Sequence, residues 1–324
     1  MGQIKGEAQL SAIYKRLHKE LMRRSKQMLV TLSSANARGY SEICNHILHN
    51  SWLKNTKTQN TFKETIPLFK DKTGLEIGGP SDVFRTDSWF PVYGYAAAVD
   101  NVNFSRRTLW NDFSDGGNVV FRNQILAEGS DLSAIKDRSY DFVLSSHVLE
   151  HLSNPLKALV EWNRILRTGG IIVSYVPHRD LTYDHLRPVT SLSHILADYA
   201  SNIPEGDVRH LNLNEIFDLY DIDLDPGLYT LSDFKDRTSK NKSLRALHQH
   251  VFDTQLVLDL YDKVGMEIII VETSIFYHII VVGIKRDRSE RDFKVNNRSS
   301  YPNSVSEWRM KSVFKSEMRF MESE

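Results

Sequence analysis

Thr73-Gly74-Leu75-Glu76-Ile77-Gly78-Gly79-Pro80-Ser81 is an apolar strand that runs into an acid, a glycine pair and then a turn. Glycines at a strand end let the backbone turn sharply and let a ligand lie against the main chain without meeting a Cβ. A dinucleotide pyrophosphate would call for a third glycine and an open helix N-terminus. Val83 and Phe84 stand where that glycine is needed, Pro80 removes an amide donor, and Glu76 brings negative charge. The stretch therefore disfavours pyrophosphate. It suits a ligand with an ammonium and a sulfonium but no phosphate, a description that S-adenosylmethionine (SAM) meets. A glycine pair also occurs in ordinary strand turns, and these residues alone leave that reading open.

Downstream, Tyr95-Ala96-Ala97-Ala98-Val99-Asp100 reads as a second strand ending in an acid, about 20 residues past the loop, where a ribose-binding carboxylate is expected. Ile125 to Glu128 reads as a third strand, followed by Gly129-Ser130-Asp131-Leu132. Asp131 suits either an adenine amino group or a turn cap. Tyr140-Asp141-Phe142-Val143-Leu144-Ser145-Ser146 is nearly continuous in apolar character, as a strand buried on both faces should be. Asn154-Pro155 opens a helix that Gly169-Gly170 is expected to close, and Ile171 to Val176 is a fifth strand. A helix from Asp253, ended by Gly265, precedes the strand pair Met266 to Val271 and His278 to Gly283. Strands alternating with helices predict an α/β fold with a doubly wound, Rossmann-like sheet, whose ligands gather at the carboxyl ends of the strands.

Taken in order, strand-Glu-x-Gly-Gly, strand-Asp, Ser-Asp-Leu, Tyr-Asp-Phe-Val and helix-Gly-Gly-strand resemble a class I SAM-dependent methyltransferase. The run Tyr140 to Leu152, which includes His147-Val148-Leu149-Glu150-His151, is especially similar to the small-molecule branch of that family. The resemblance covers roughly Gly74 to Lys285, and it departs from the family's glycine pattern at Pro80 and Asp82. It implies SAM as cofactor, with Glu76, Gly78 and Gly79 near the methionyl part, Asp100 at the ribose, and Asp131 with Leu132 at the adenine. Pro80, Asn101, Ser146 and His147 complete the expected cofactor-binding set. It also implies that the last strand is antiparallel.

Between Pro177 and Phe252 lies a segment far longer than the few residues that usually join a strand to its helix. It leaves the carboxyl end of the fifth strand, so it is expected to cover the crevice on the acceptor side, with helical patterns at Leu192 to Tyr199 and Ile216 to Leu219. A hydroxyl acceptor must lose a proton, and histidine is the side chain most often used to take it. His178, Asp184, His185, Arg187, His248 and His250 are the catalytic candidates, as base and positioning groups. They could also hold a divalent cation, although no metal is expected, and a site on His147, Glu150 and His151 is disfavoured because that wording belongs to the family's scaffold. The Pro177-His178-Arg179-Asp180 and His248-x-His250-Val251-Phe252-Asp253 wording resembles methyltransferases of surface-polysaccharide biosynthesis. That resemblance implies O-methylation of a sugar or other polar glycan-related small molecule. The alternatives are N- or C-methylation of another small molecule, or a non-catalytic SAM-fold protein used for assembly.

The chain has 324 residues, with Lys and Arg balanced by Asp and Glu at 41 each and a single cysteine, Cys44. Balanced charge gives no case for nucleic acid, and one cysteine excludes an intrachain disulfide. No apolar run reaches the roughly 20 residues of a membrane span, so a cytoplasmic location is expected. The expected organisation is a helical extension at 1–72, the methyltransferase domain at 73–285 with its insertion at 177–252, and a polar tail at 286–324. Amphipathic patterns from Leu10 to Leu21 and from Tyr40 to Leu48, and a capping box at Ser304 to Glu307 before Trp308, mark terminal helices suited to homo-oligomer contacts.

Overall fold

A computed structural model describes residues 56–86, 88, 90–108, 121–225, 230–274 and 278–286. The helices expected near Leu10, Tyr40 and Trp308 lie outside the described residues. Seven strands form one sheet in the order β3-β2-β1-β4-β5-β7-β6. They are β1 Thr73–Ile77, β2 Ala98–Asn103, β3 Gln124–Leu126, β4 Tyr140–Ser146, β5 Leu166–Pro177, β6 Glu267–Ser274 and β7 His278–Ile284. The first five are parallel, while β7 runs antiparallel between β5 and β6. This is the doubly wound α/β sheet expected for class I methyltransferases. Strand order reverses between β1 and β4, and the crevice above their carboxyl ends is where such sheets take their ligands.

Both sheet faces are covered, which explains the unbroken apolar runs of β4 and β5. On one face Leu75, Val143 and Ile172 pack with Trp162, Leu256 and Leu260 from helices α2 (Pro155–Ile165) and α7 (Thr254–Lys263). On the other, Phe142, Val173 and Tyr175 meet Phe69, Phe84 and Phe90. Phe69 ends helix α1 (Thr56–Phe69) and is fully buried edge-on to Phe142. The last turn of the segment read as an extension thus packs on the sheet.

Three boundaries differ from the sequence expectation. Strand β2 begins at Ala98 and runs past Asp100 to Asn103, because Ile77 at the end of β1 is in register with Val102 and Gly78 donates to the Val102 carbonyl at 2.8 Å. Asp100 is therefore inside its strand and does not end it. Helix α2 starts at its Asn154 cap as expected, but it ends at Ile165, and Gly169 and Gly170 lie within β5. A Cβ on Gly170 would sit 2.9 Å from the carbonyl oxygens of Arg167 and Asp141, so glycine is needed there for strand contact and not for helix termination. Strand β3 is only three residues long and stops before Ala127.

The insertion folds on its own small core. It contains the two expected helices, α3 (Leu192–Ala200) and α4 (Leu213–Asp218), and two that were not expected, α5 (Leu231–Ser239) and α6 (Asn241–Leu244). Tyr183, Ile216, Leu224, Phe234 and Leu247 form its centre, with Tyr220 stacked on Phe234 at 3.9 Å. It reaches across the strand ends: Glu205 accepts from Ser130 Oγ at 2.6 Å and from the Ser153 amide at 2.9 Å, and Arg245 Nη2 donates to Glu128 at 2.6 Å. No described helix is long and apolar enough to cross a membrane.

Candidate active site

The glycine turn rests on its own acid. Glu76 is fully buried and accepts hydrogen bonds from the Tyr93 hydroxyl and, at 3.1 Å, from the Ser81 amide. Gly79 lies directly over the carboxylate, where a Cβ would come within 2.1 to 2.4 Å of its atoms. Gly78 has φ +83°, and a Cβ there would meet Val148 at 2.8 Å. Burial raises the Glu76 pKa to about 7 against the opposing hydrogen bonds of Tyr93 and Ser81. The acid thus shapes the turn from beneath and titrates near neutrality.

At the end of β2 the arrangement departs from expectation. Both Asp100 oxygens are already engaged: Oδ1 accepts from Arg122 Nε and Asn123 Nδ2, each at 3.0 Å, and Oδ2 from Arg122 Nη2 at 2.5 Å and the Tyr140 hydroxyl at 2.7 Å. Burial would raise this carboxyl, but those donors outweigh it and hold it below its ordinary range. A carboxylate with this many donors has little capacity left for a ribose diol. The strand end carries Asn101 and Asn103 instead. Asn103 Nδ2 donates to the Gly79 carbonyl at 2.7 Å and to Asn101 Oδ1 at 2.9 Å, tying β2 to the glycine turn. Sequence reasoning missed Asn103, because its importance depends on how far β2 extends.

Beyond β3, Gly129 lies against β1, where a Cβ would meet Ile77 at 2.9 Å, and its carbonyl accepts from Trp162 Nε1 at 2.8 Å. Asp131 is exposed and accepts from the Ser133 amide at 3.2 Å, while buried Leu132 donates its amide to Glu161 at 3.0 Å. Asp131 is therefore a turn cap that still faces solvent. Ser146, half-buried, is the last residue of β4, and His147 follows in a left-handed conformation, φ +54°.

His147 heads a chain of ionisable groups. Its Nδ1 is 3.2 Å from Glu150 Oε1, and its Nε2 is 3.0 Å from Nε2 of His278, which β7 delivers beside the end of β5. The His147 side chain is 32% exposed, whereas Glu150 is enclosed at 1%. Burial would raise Glu150, but the His147 hydrogen bond and the neighbouring histidines overcome it and hold the carboxylate low. His278 is pushed well down, first by burial and then by His147. A donor on His147 Nδ1 toward Glu150 makes Nε2 the acceptor, with its lone pair taken up by a donor on His278 Nε2. His278 was read only as a strand residue; the antiparallel insertion of β7 is what makes it part of the site.

The expected catalytic set divides into four. Asp184, Arg187 and His248 do come together: His248 Nδ1 lies 2.5 Å from Asp184 Oδ2, Arg187 Nη1 donates to Asp184 Oδ1 at 2.8 Å, and Tyr183 stacks on the imidazole. His248 also stands edge-on to His151, at 4.8 Å between centroids, so this group adjoins Glu150. His151 donates through Nδ1 to the Leu247 carbonyl at 3.2 Å, and burial pushes its pKa down to about 3. His178 is fully buried, and its Nδ1 accepts from the Asp180 amide, capping its own turn. His185 turns away to Asp221, 2.9 Å. His250, two residues from His248, lies instead among His194, His210 and Asp198.

Residues 88–174 match the family model described as a methyltransferase domain. A curated protein of Methanocaldococcus jannaschii, MJ1123, is 43% identical over 56 residues, which span 17% of this chain and 27% of that one. Among solved structures, an S-adenosylmethionine-dependent methyltransferase from Mesorhizobium loti superposes with TM-score 0.42 at 13% identity, over 70% of this chain and 96% of the other. A SAM-dependent methyltransferase from Aquifex aeolicus gives 0.38 at 11%, over 70% and 88%. The N-methyltransferase NodS of Bradyrhizobium japonicum gives 0.39 at 8%, over 72% and 99%.

Proposed function

We propose that this chain is a SAM-dependent methyltransferase that O-methylates a sugar or other polar, glycan-related small molecule. The observation that carries it is the Glu76-supported glycine turn at the switch point of a 3-2-1-4-5-7-6 sheet, within reach of the His147 to Glu150 pair at the end of β4. The residues fit the cofactor: Gly78 and Gly79 let the turn pack onto Val148 and Glu76 where a Cβ would collide, and the acid beneath the turn can ionise toward a cation. Bound SAM supplies an electrophilic methyl group on a sulfonium. The turn and Asn103 would hold its methionyl side, and exposed Asp131 would remain available to the adenine amino group.

Transfer to an alcohol needs alignment, exclusion of water and removal of one proton. The insertion closes the strand ends through Glu205 and Arg245, which serves the first two needs. His147 takes the hydroxyl proton at Nε2 once the hydroxyl displaces His278 from that lone pair, while Glu150 holds Nδ1 and offsets the positive charge that develops. The sugar and polysaccharide reading is supported by the Pro177 to Asp180 and His248 to Asp253 wording. The test is methyl transfer from labelled SAM to a panel of nucleotide sugars and glycan fragments, with amine and catechol acceptors alongside. Product masses one methylene above a sugar acceptor support the proposal. Transfer only to amines would keep the methyltransferase and discard the acceptor class.

A further inference from the structure

The histidine that left the expected catalytic set belongs to a second cluster. Helix α3 presents His194 and Asp198 on one face, four residues apart, with His194 Nε2 3.2 Å from Asp198 Oδ2. His210, from the loop that follows, brings Nε2 to 3.9 Å from the same oxygen, and His250, just before α7, brings Nε2 to 3.8 Å. His194, Asp198 and His210 each offer a ligand atom within 4.8 Å of the others. The three imidazole rings stand 5.7 to 6.3 Å apart around the carboxylate.

These groups are poorly served by the protein itself. Asp198 Oδ2, both ring nitrogens of His210 and Nδ1 of His250 are enclosed and make no hydrogen bond. His250 is fully buried, and its one polar contact is a long 3.4 Å approach of Nε2 to the Ser153 carbonyl. Buried polar atoms are nearly always paired, and an orphaned Asp198 Oδ2 facing the Nε2 atoms of His194, His210 and His250 at 3.2 to 3.9 Å calls for a missing partner. A proton shared with the carboxylate would satisfy one histidine and leave the others.

We propose that His194, Asp198 and His210, with His250 as the fourth donor, form a binding site for a divalent transition metal, zinc being the best match. Imidazole nitrogens with one carboxylate are zinc's usual donors, and tetrahedral ligands at zinc bond lengths stand about 3.3 Å from one another, close to the separations seen. Calcium and magnesium want oxygen cages and would leave three imidazoles unused. The site is separate from Glu150, His151 and His248. It joins three stretches of the insertion, and Asn154 Nδ2, at the cap of α2, donates to the Asp198 carbonyl at 3.2 Å. A bound ion would lock the insertion against the helix that follows β4. The inference does not depend on methyl transfer.

The test is metal binding by the full chain after treatment with a chelator, titrated with Zn²⁺ and with Co²⁺ as a spectroscopic probe. One equivalent per chain is expected, with the visible absorption of four-coordinate Co²⁺ and a rise in melting temperature on adding Zn²⁺. Asp198→Asn and His194→Ala should each weaken binding by roughly tenfold or more. The His194 side chain is 39% exposed, so its truncation tests the site even where Asp198→Asn does not fold. Glu150→Gln should leave zinc affinity unchanged. Failure of the folded, metal-free chain to bind Zn²⁺ at micromolar concentration would overturn the proposal. So would a stoichiometric site that both variants retain, or one lost through Glu150→Gln.

Discussion

Gly79 lies against the carboxylate of Glu76, so closely that a Cβ on Gly79 would stand 2.1 Å from Glu76 Cδ. The glycine turn and its acid are therefore one unit. Gly79→Ala should displace the turn or the acid and weaken SAM binding by at least tenfold, about 1.4 kcal/mol. Calorimetric titration of the variant, with melting temperature as a fold check, decides it. Unchanged affinity would mean the turn does not touch the cofactor.

The same acid predicts a pH dependence. Glu76 is raised from 4.5 to about 7, principally by burial. Before ligand is considered, the folded state binds a proton there that the unfolded state has released, so this group's contribution to stability is full below pH 4.5 and lost as pH rises through 7. SAM is a cation and favours the carboxylate, so its affinity should rise as pH increases from 6 to 8. Binding should release a fraction of a proton near pH 7, measurable by calorimetry in buffers of different ionisation enthalpy. Glu76→Gln should bind more weakly and with a flat profile over that range; a profile identical to the parent would assign the titration elsewhere.

What could be read ahead of the structure followed from local pattern. β1 and β4 were legible because both are short buried runs ending in turn chemistry, and α2 and α7 because Asn154 and Asp253 are side-chain caps. The extent of β2 was not legible, since it is set by pairing of Val102 with Ile77, and so Asp100 was read as a strand end. Helix α5 escaped because only Leu231 and Phe234 mark its apolar face and its capping box uses Asp233 where Glu or Gln is usual. His248 and His250 were read together, yet the stretch that carries them is neither helix nor strand, so no regular period holds residues i and i+2 on one face. His278 meets His147 across 131 residues of chain, a contact that only the placement of β7 creates.

Acid should destabilise the protein through His151. Its pKa falls from 6.5 to about 3, chiefly through burial, so between those values the unfolded chain binds a proton that the native state refuses. Stability from this group is full above pH 6.5 and declines as pH falls, by about 1 kcal/mol between pH 6.5 and 5.5. Urea melts of the parent and of His151→Gln at the two pH values measure the difference. An equal loss in both would remove His151 as the source.

Asp100→Ala should cost stability more than cofactor affinity. The pair with Arg122 is enclosed on the acid's side but half exposed on the arginine's, at 50%, so the loss should fall near 1–2 kcal/mol and not at the full cost of a buried pair. The depressed acid contributes above its ordinary value of 3.8 and loses that contribution as pH falls below it. SAM affinity should stay within roughly threefold of the parent. Asn103→Ala, which frees the Gly79 carbonyl, should weaken SAM more. The reverse order would return Asp100 to the ribose.

The proton acceptor can be separated from its neighbours by which quantity each substitution moves. His147 is solvent-accessible at the end of β4, with Nδ1 toward Glu150, so His147→Ala should lower kcat by about 10²–10⁴-fold with SAM affinity little changed. Glu150→Gln keeps the shape but loses the charge that offsets a protonated His147, and it should lower kcat less than His147→Ala does. His248→Ala and Arg187→Ala, members of the buried group around Asp184, should raise KM for the acceptor or destabilise the insertion rather than remove a proton-transfer step. His185→Ala, paired outward with Asp221, should leave both parameters near parental values. His178→Ala breaks a turn cap and should appear in melting temperature first. Steady-state kinetics from pH 6 to 9 on the six variants distinguish these outcomes. If His147→Ala keeps parental kcat while His248→Ala loses it with the fold intact, the base is His248 and Asp184 is the carboxylate that orients it.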